Sequence, residues 1–155
     1  MNTYKLSADD RLDLHELISR YYEANDEKDI DGALSFCTPD ATITGDFEMR
    51  ADHQQEDLKK IYAGEPGKKR HLMLNPIILS ATENEVHMQH LLLVIEASVF
   101  PAAVATSKVT DVIRRTPDGW KIAQHRIEVD PSGKWMVSLA QKVQNAVETV
   151  KEKLS

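Results

Sequence analysis

The chain has 155 residues, a formal net charge of −6 and a pI near 5.5. This length predicts one domain, residues 1–155, and the 41% hydrophobic and 28% charged residues are typical of a soluble globular protein. The acidic balance argues against a nucleic-acid partner, because phosphate binding needs a basic face. The one basic cluster, Lys68-Lys69-Arg70, follows a glycine- and proline-containing loop and is predicted to be a solvated turn.

The first residues, Met1 to Lys5, lack the apolar core of a signal peptide. The longest apolar run, Leu91 to Ile95, is too short to cross a bilayer. We therefore expect a cytoplasmic protein without a membrane partner. Cys37 is the only cysteine, so no internal disulfide can form, and its apolar neighbours predict a buried, unreactive thiol.

Capping signals and apolar residues at helical spacing predict four helices. Ser7 is placed to cap the first and Asp29 to cap the second. Leu14, Leu17 and Ile18 form the inward stripe of the first helix. The predicted bounds are about 8–27, 30–37, 52–63 and 134–153.

From about residue 71 the apolar period changes to two, which predicts strands. Thr116-Pro117-Asp118-Gly119 is a predicted hairpin turn, and Pro76 predicts an edge position or a bulge. The predicted strands span about 41–47, 72–80, 86–98, 102–115 and 120–129. Helices followed by long antiparallel strands indicate an α+β fold.

The end of the first helix carries the first candidate site residues. Asp26 lies where the helix dipole disfavours an anion. Tyr21 continues the apolar stripe and should face inward, and Tyr22 lies one turn before Asp26. A solvated helix end and a core tyrosine are the structural alternatives.

Two histidines on predicted strands could complete a proton-transfer set. His71 shares a strand face with Met73 and Asn75, and His90 lies in the middle of the next strand. His87 points to the opposite face from His90, so this pair cannot bind one metal. A solvated strand end for His71 and a packed core position for His90 are the alternatives. No metal and no cofactor is expected, because the sequence has no ligand cluster and no cofactor motif.

On the last predicted strand, Arg126 shares a face with Trp120 and Ile122. An arginine among apolar neighbours needs an anion. This anion could be a substrate carboxylate, enolate or CoA-type acyl group. The structural alternative, which the sequence favours, is an ion pair with the side chain of Glu96 or Glu128.

Three short segments carry a resemblance to known dehydratases. They are residues 25–31, Arg70-His71 and the stretch from Glu85 to His90. Their order resembles the scytalone dehydratases of the SnoaL-like, nuclear transport factor 2-like superfamily, over the chain to about Asp130. The spacing of Tyr21, Asp26 and His71 also resembles the bile-acid 7α-dehydratases.

The resemblance implies a nuclear transport factor 2-like (cystatin-like) cone, in which a curved antiparallel sheet wraps around helices. It places Asp26, His71 and His90 in an active site and Arg126 toward the substrate. Asn25 stands where the scytalone dehydratases carry a tyrosine. Tyr21 and Tyr22 are the candidates to replace that group.

We therefore predict a cofactor-independent, dehydratase-like lyase or isomerase that acts on a small hydrophobic carbonyl compound, such as a polyketide, steroid or aromatic intermediate. His71, supported by Asp26, would remove the proton α to the carbonyl, and Tyr21 or Arg126 would polarise that carbonyl. Protonated His71 or His90 would assist loss of hydroxide. The remaining predicted substrate-binding residues are Tyr22, Asn75, Phe36, Phe47, Met73, Leu92 and Trp120.

Two non-catalytic functions are alternatives. The first is an assembly role like that of the small subunits of ring-hydroxylating dioxygenases, which share the fold. The second is a small-molecule-binding domain. Dioxygenase activity of this chain alone is excluded, because it lacks the Cys/His pairs of an iron–sulfur site.

The last predicted helix has an apolar seam that must be buried, formed by Leu139, Val143, Ala146 and Val150. We expect a homodimer to which the sheet face contributes.

Overall fold

A computed structural model describes residues 4–64 and 67–132. The described helices are α1 (Ala8–Asp26), α2 (Ile30–Ser35) and α3 (Gln54–Gly64). The strands are β1 (Cys37–Gly45), β2 (Lys69–Ala81), β3 (Glu85–Glu96), β4 (Ala102–Thr116) and β5 (Gly119–Val129). The predicted C-terminal helix lies outside the described residues.

The five strands form one sheet in the order β1-β5-β4-β3-β2. The predicted antiparallel pairing is confirmed for β2 to β5, whereas β1 joins β5 in parallel. The expectation of a wholly antiparallel sheet is therefore wrong at one edge. No hairpin links β1 to β5, so nothing local in the sequence fixes their relative direction. The α+β cone itself is confirmed.

Helix α1 lies against the inner face of the sheet. Its N-cap prediction is confirmed, since the backbone N–H of Asp10 donates to Ser7 Oγ at 3.0 Å. The predicted stripe is buried, with Leu14 and Ile18 at most 1% exposed. It packs in one cluster with inward residues of the sheet such as Val109 and Ile113. Each such side chain contributes about 1.5–3 kcal/mol by leaving water, so this stripe fixes how α1 is oriented over the sheet.

Each edge strand contains a proline and is irregular near it. The register of β2 shifts between Leu74 and Ile77, and Asn75 has a φ of +51°, which confirms the bulge predicted at Pro76. Strand β1 begins at Cys37, earlier than predicted, and runs through Pro39. An edge strand tolerates proline because one side of it needs no ladder hydrogen bond.

The structure also describes the surroundings of Cys37 and the apolar character of the helices. Cys37 is partly buried, and burial raises the pKa of its thiol to about 12, as expected for an unreactive cysteine. None of the described helices is both long and apolar enough to span a membrane.

Asp10 fastens the start of α1 to the sheet. Its carboxylate accepts hydrogen bonds from the Ser7 hydroxyl at 2.8 Å, from Arg115 at 2.6 Å and from Trp120 Nε1 at 3.1 Å. The bond from Ser7, with those from Arg115 and Trp120, lowers the pKa of Asp10 to about 2. The ionised carboxylate therefore stabilises the folded state above the ordinary carboxyl pKa.

We predict that Asp10→Asn lowers the free energy of unfolding at pH 7 by about 1–2 kcal/mol, a value reduced by partial solvent screening. Because the folded-state pKa is depressed, this contribution is complete above about pH 4 and is lost as the pH falls toward 2. Urea unfolding at pH 7 and pH 2.5 measures the difference. Asp9→Asn, in the exposed first turn, is the matched control, and an equal deficit in both variants would contradict the prediction.

Candidate active site

A cavity of about 110 Å³ lies between α1, α3 and the inner face of the sheet. Apolar side chains form most of its wall, among them Ile43, Phe47, Met49, Leu58, Ile61, Leu92 and Ile127. Its polar lining residues are Tyr21, Tyr22, Asn25, Asp26, Lys28, Tyr62, Lys69, His71 and His125. An apolar pocket with a few converging polar groups is the usual composition of a small-molecule site.

Asp26 and His71 meet at the cavity wall, as predicted. Asp26 Oδ1 lies 2.6 Å from His71 Nδ1, and Asp26 Oδ2 accepts the backbone N–H of His71 at 3.1 Å. The Asp26 side chain is 7% exposed and that of His71 is 22% exposed. Because the carboxylate engages Nδ1, Nε2 is the ring nitrogen left available to the cavity.

The C-terminal end of α1 sets the position of Asp26. Asp29 N donates to the carbonyl of Ala24 at 2.9 Å, and Lys28 takes a φ of +58°. Helices commonly end in a residue with left-handed backbone geometry, usually glycine, and here that residue is Lys28. Lys28 Nζ then donates to the backbone carbonyl of Tyr62 at 3.2 Å, which ties the end of α1 to α3 beside the cavity.

Tyr22 connects the cavity wall to a buried histidine. Its hydroxyl lies 2.7 Å from His90 Nε2, and its ring stacks on His71 with centroids 5.6 Å apart and an interplanar angle of 13°. His90 is 1% exposed and does not line the cavity. The prediction that His90 reaches the substrate needs correction, because Tyr22 occupies the space in front of it.

Asp111 is fully buried and lies beside two histidines. Its Oδ1 is 2.5 Å from His125 Nδ1, whereas its Oδ2 is 3.3 Å from His90 Nδ1 without hydrogen-bond alignment. Burial opposes ionisation of this carboxyl, but His125 and His90 outweigh burial and hold the pKa of Asp111 below its usual range. The group is therefore an anion at neutral pH.

A bulge in β5 decides which residues of that strand face the cavity. Val112 pairs with Gln124 and Ile113 with Ile122, so Ala123 is an extra residue. Ile122 and Ala123 are therefore both buried, and beyond the bulge the inward face continues with His125.

The same bulge turns Arg126 outward. Its side chain is exposed and lies 3.1 Å from Glu128. Arg126 as a substrate-binding residue is thus a prediction that the structure contradicts, and the acidic side-chain alternative is the observed one. Strict alternation from Trp120 could not have shown this change of face.

The other predicted lining residues divide into three groups. Phe47 and Leu92 line the cavity. Phe36, Met73 and Trp120 pack in or against the hydrophobic core instead. Asn75 is exposed, because the bulge at Pro76 interrupts the alternation that would have placed it beside Met73.

Tyr21 and Tyr22 reach the cavity as neutral phenols. Both are buried, and burial raises the pKa of each well above its ordinary value. At neutral pH they can donate hydrogen bonds but cannot act as bases. Since the Tyr22 hydroxyl is engaged by His90 and the Tyr62 hydroxyl donates to Asn25, Tyr21 remains the phenol that could polarise a ligand carbonyl.

Sequence reasoning missed His125, Asp111 and Tyr62. An aspartate between apolar residues in Val109-Thr-Asp111-Val-Ile113 was a usable signal, because a charged residue on the buried face of a strand needs a partner. Tyr62 donates to Asn25 Oδ1 at 2.8 Å from another helix, and no local pattern indicates that contact. Among the described residues no group of His, Cys, Asp and Glu side chains is arranged to hold a metal ion.

The family model of the SnoaL-like domain matches residues 7–126. The chain belongs to this family. A search among curated proteins found no significant match.

Solved structures with the same fold were found. A cystatin-like protein of unknown function from Nostoc punctiforme is 24% identical, with 83% of this chain and 97% of that chain covered and a TM-score of 0.74. A candidate aromatic ring hydroxylase from Novosphingobium aromaticivorans is 20% identical over 81% and 92% of the two chains, with a TM-score of 0.70. A candidate dehydratase of the NTF2-like family from Streptomyces avermitilis is 17% identical over 79% and 96%, with a TM-score of 0.67.

We predict that Tyr22→Phe lowers the free energy of unfolding by about 1–3 kcal/mol, because His90 Nε2 would lose its partner in a buried site. Urea unfolding measures the loss, and the His90 ring nitrogen signals in an NMR spectrum should shift with it. Tyr4→Phe, at an exposed tyrosine, is the control. An unchanged unfolding midpoint for Tyr22→Phe would contradict the buried hydrogen bond.

Proposed function

We propose that the protein is a cofactor-independent, dehydratase-like lyase or isomerase that acts on a small hydrophobic carbonyl compound of the polyketide, steroid or aromatic class. The observation that carries the proposal is the Asp26–His71 pair at the wall of an apolar cavity. A histidine whose Nδ1 is held by a carboxylate is a standard general base, because the carboxylate fixes the tautomer and stabilises the imidazolium.

The first chemical step is proton abstraction next to the carbonyl. His71 Nε2 takes the α-proton, and the electrons of the C–H bond form an enolate. Asp26 stabilises the resulting imidazolium at a distance of 2.6 Å. Tyr21, a buried neutral phenol, donates a hydrogen bond to the developing enolate oxygen.

The size and lining of the cavity favour a compact ligand. A volume of about 110 Å³ is below the roughly 300–1,000 Å³ of pockets for drug-sized molecules. Its apolar walls lower the local polarity and so strengthen the hydrogen bonds made there. These properties support a small ring ketone as the substrate class.

We predict that the wild-type protein catalyses exchange of the α-protons of small cyclic aryl ketones for deuterium in D₂O, measured by proton NMR. Asp26→Asn and His71→Gln should each slow this exchange by roughly 10²–10⁴-fold. The double variant should be little worse than the worse single variant, because the two residues act as one unit.

Neighbouring residues supply matched controls for this experiment. Glu27→Gln removes the adjacent, more exposed carboxylate, and His87→Gln removes a histidine that pairs with Glu85 outside the cavity. Both should exchange at the wild-type rate. Wild-type activity in Asp26→Asn or His71→Gln would end the enzyme proposal in favour of ligand binding or of an assembly role like that of dioxygenase small subunits.

We also propose that the outer face of β2 and β3 mediates homodimer formation. Leu72, Leu74, Ile77 and Leu91 are each 41–53% exposed. Leu74 and Leu91 are directly paired, as are Leu72 and Leu93, so the exposed side chains form one patch. Such patches on a soluble protein commonly mark protein interfaces.

We predict that Leu91→Glu converts the dimer to a monomer, because a charge would be buried in the interface. Size-exclusion chromatography with light scattering measures the mass. Leu12→Glu, at an exposed leucine of α1, should leave the mass unchanged. A monomeric wild-type protein would overturn the dimer proposal.

A further inference from the structure

A second histidine–carboxylate pair reaches the cavity through its histidine, His125. His125 Nδ1 lies 2.5 Å from Asp111 Oδ1, as His71 Nδ1 lies 2.6 Å from Asp26 Oδ1. Asp111 on β4 and His125 on β5 are directly opposite each other in the strand register. The sheet itself therefore fixes their geometry, and Nε2 of His125 is the nitrogen left for the cavity that this residue lines.

The two pairs differ in their access to solvent. Asp111 is 0% exposed and His125 is 2% exposed, whereas the His71 side chain is 22% exposed. A carboxylate buried this deeply requires a compensating positive charge. His125 is the better placed of its two neighbours to provide it, because His90 is farther away and not aligned for a hydrogen bond. His125 therefore meets the cavity paired with a fully buried carboxylate, whereas His71 meets it from a partly exposed edge.

Tyr22 contacts both imidazoles with its aromatic ring. Its ring contacts both, with centroid distances of 5.6 Å to His71 and 5.9 Å to His125. Its hydroxyl is engaged by His90 at 2.7 Å. The two imidazoles thus share one aromatic neighbour and come from different strands, β2 and β5.

We propose that His125, held by Asp111, is the general acid that protonates the leaving hydroxyl of a β-hydroxy carbonyl substrate; this rests on the proposed function. His71 takes the α-proton and the C–H electrons form the enolate. The enolate electrons then form the new C=C bond as the β C–O bond breaks, and the oxygen leaves as water with the proton of His125. Solvent returns a proton to His125 and accepts one from His71, so the enzyme is regenerated.

The test compares two reactions in three variants. A β-hydroxy aryl ketone reports elimination through the absorbance of the enone product. The same ketone without the hydroxyl reports α-proton exchange in D₂O. We expect His125→Gln to slow elimination by roughly 10²-fold and to change exchange less than about threefold, whereas His71→Gln slows both. His87→Gln should change neither.

A better leaving group separates acid catalysis from a structural role. A β-acetoxy ketone needs no proton on its leaving group, so His125→Gln should eliminate acetate at close to the wild-type rate. Equal losses in exchange and elimination, or no recovery with the acetoxy ketone, would overturn the assignment of His125 and leave the proposed function intact. Absence of exchange in the wild-type protein would overturn both.

A measurement on the wild-type protein covers the case in which His125→Gln does not fold. The wild-type protein should eliminate water from the β-hydroxy ketone within about tenfold of the rate at which it eliminates acetate from the β-acetoxy ketone, because a general acid removes the disadvantage of the poorer leaving group. A loss of water much slower than the loss of acetate would also overturn the proposal.

Discussion

A carboxylate without solvent contact constrains everything packed around it. Asp111 on β4 needs compensation, and His125 on β5 and His90 on β3 supply it. His90 in turn holds the Tyr22 hydroxyl of α1. One buried charge therefore links three strands to the helix that forms the cavity wall. Removing a single partner from such a cluster is costly, roughly 3–5 kcal/mol, because it leaves an uncompensated charge.

The two histidine–carboxylate pairs use the same chemical groups in different surroundings. Asp26 lies at the end of a helix, and His71 lies on the edge strand, where its side chain is partly exposed. Asp111 and His125 lie in the interior of the sheet. Differences of this kind separate acids from bases in one active site. The fold alone does not specify a reaction, so the proposed acid and base roles depend on this difference in burial.

The sequence predicted what depends on local chemistry. The Ser7 cap, the Leu14 and Ile18 stripe and the Pro76 bulge are decided by neighbouring residues, and each was found. The contact between Asp26 and His71 followed from the family resemblance rather than from spacing. It joins residues 45 positions apart, a separation over which periodicity carries no information.

Tertiary structure alone decided the rest of the site. One extra residue at Ala123 exchanged the faces of His125 and Arg126, because strand register depends on the partner strand and not on the strand's own sequence. The parallel direction of β1 is set by its pairing with β5, because no hairpin joins these two strands. Tyr62 reaches Asn25 only because α3 packs beside the end of α1. The sequence by itself determined which groups exist and which elements carry them, whereas packing determined which groups share one cavity.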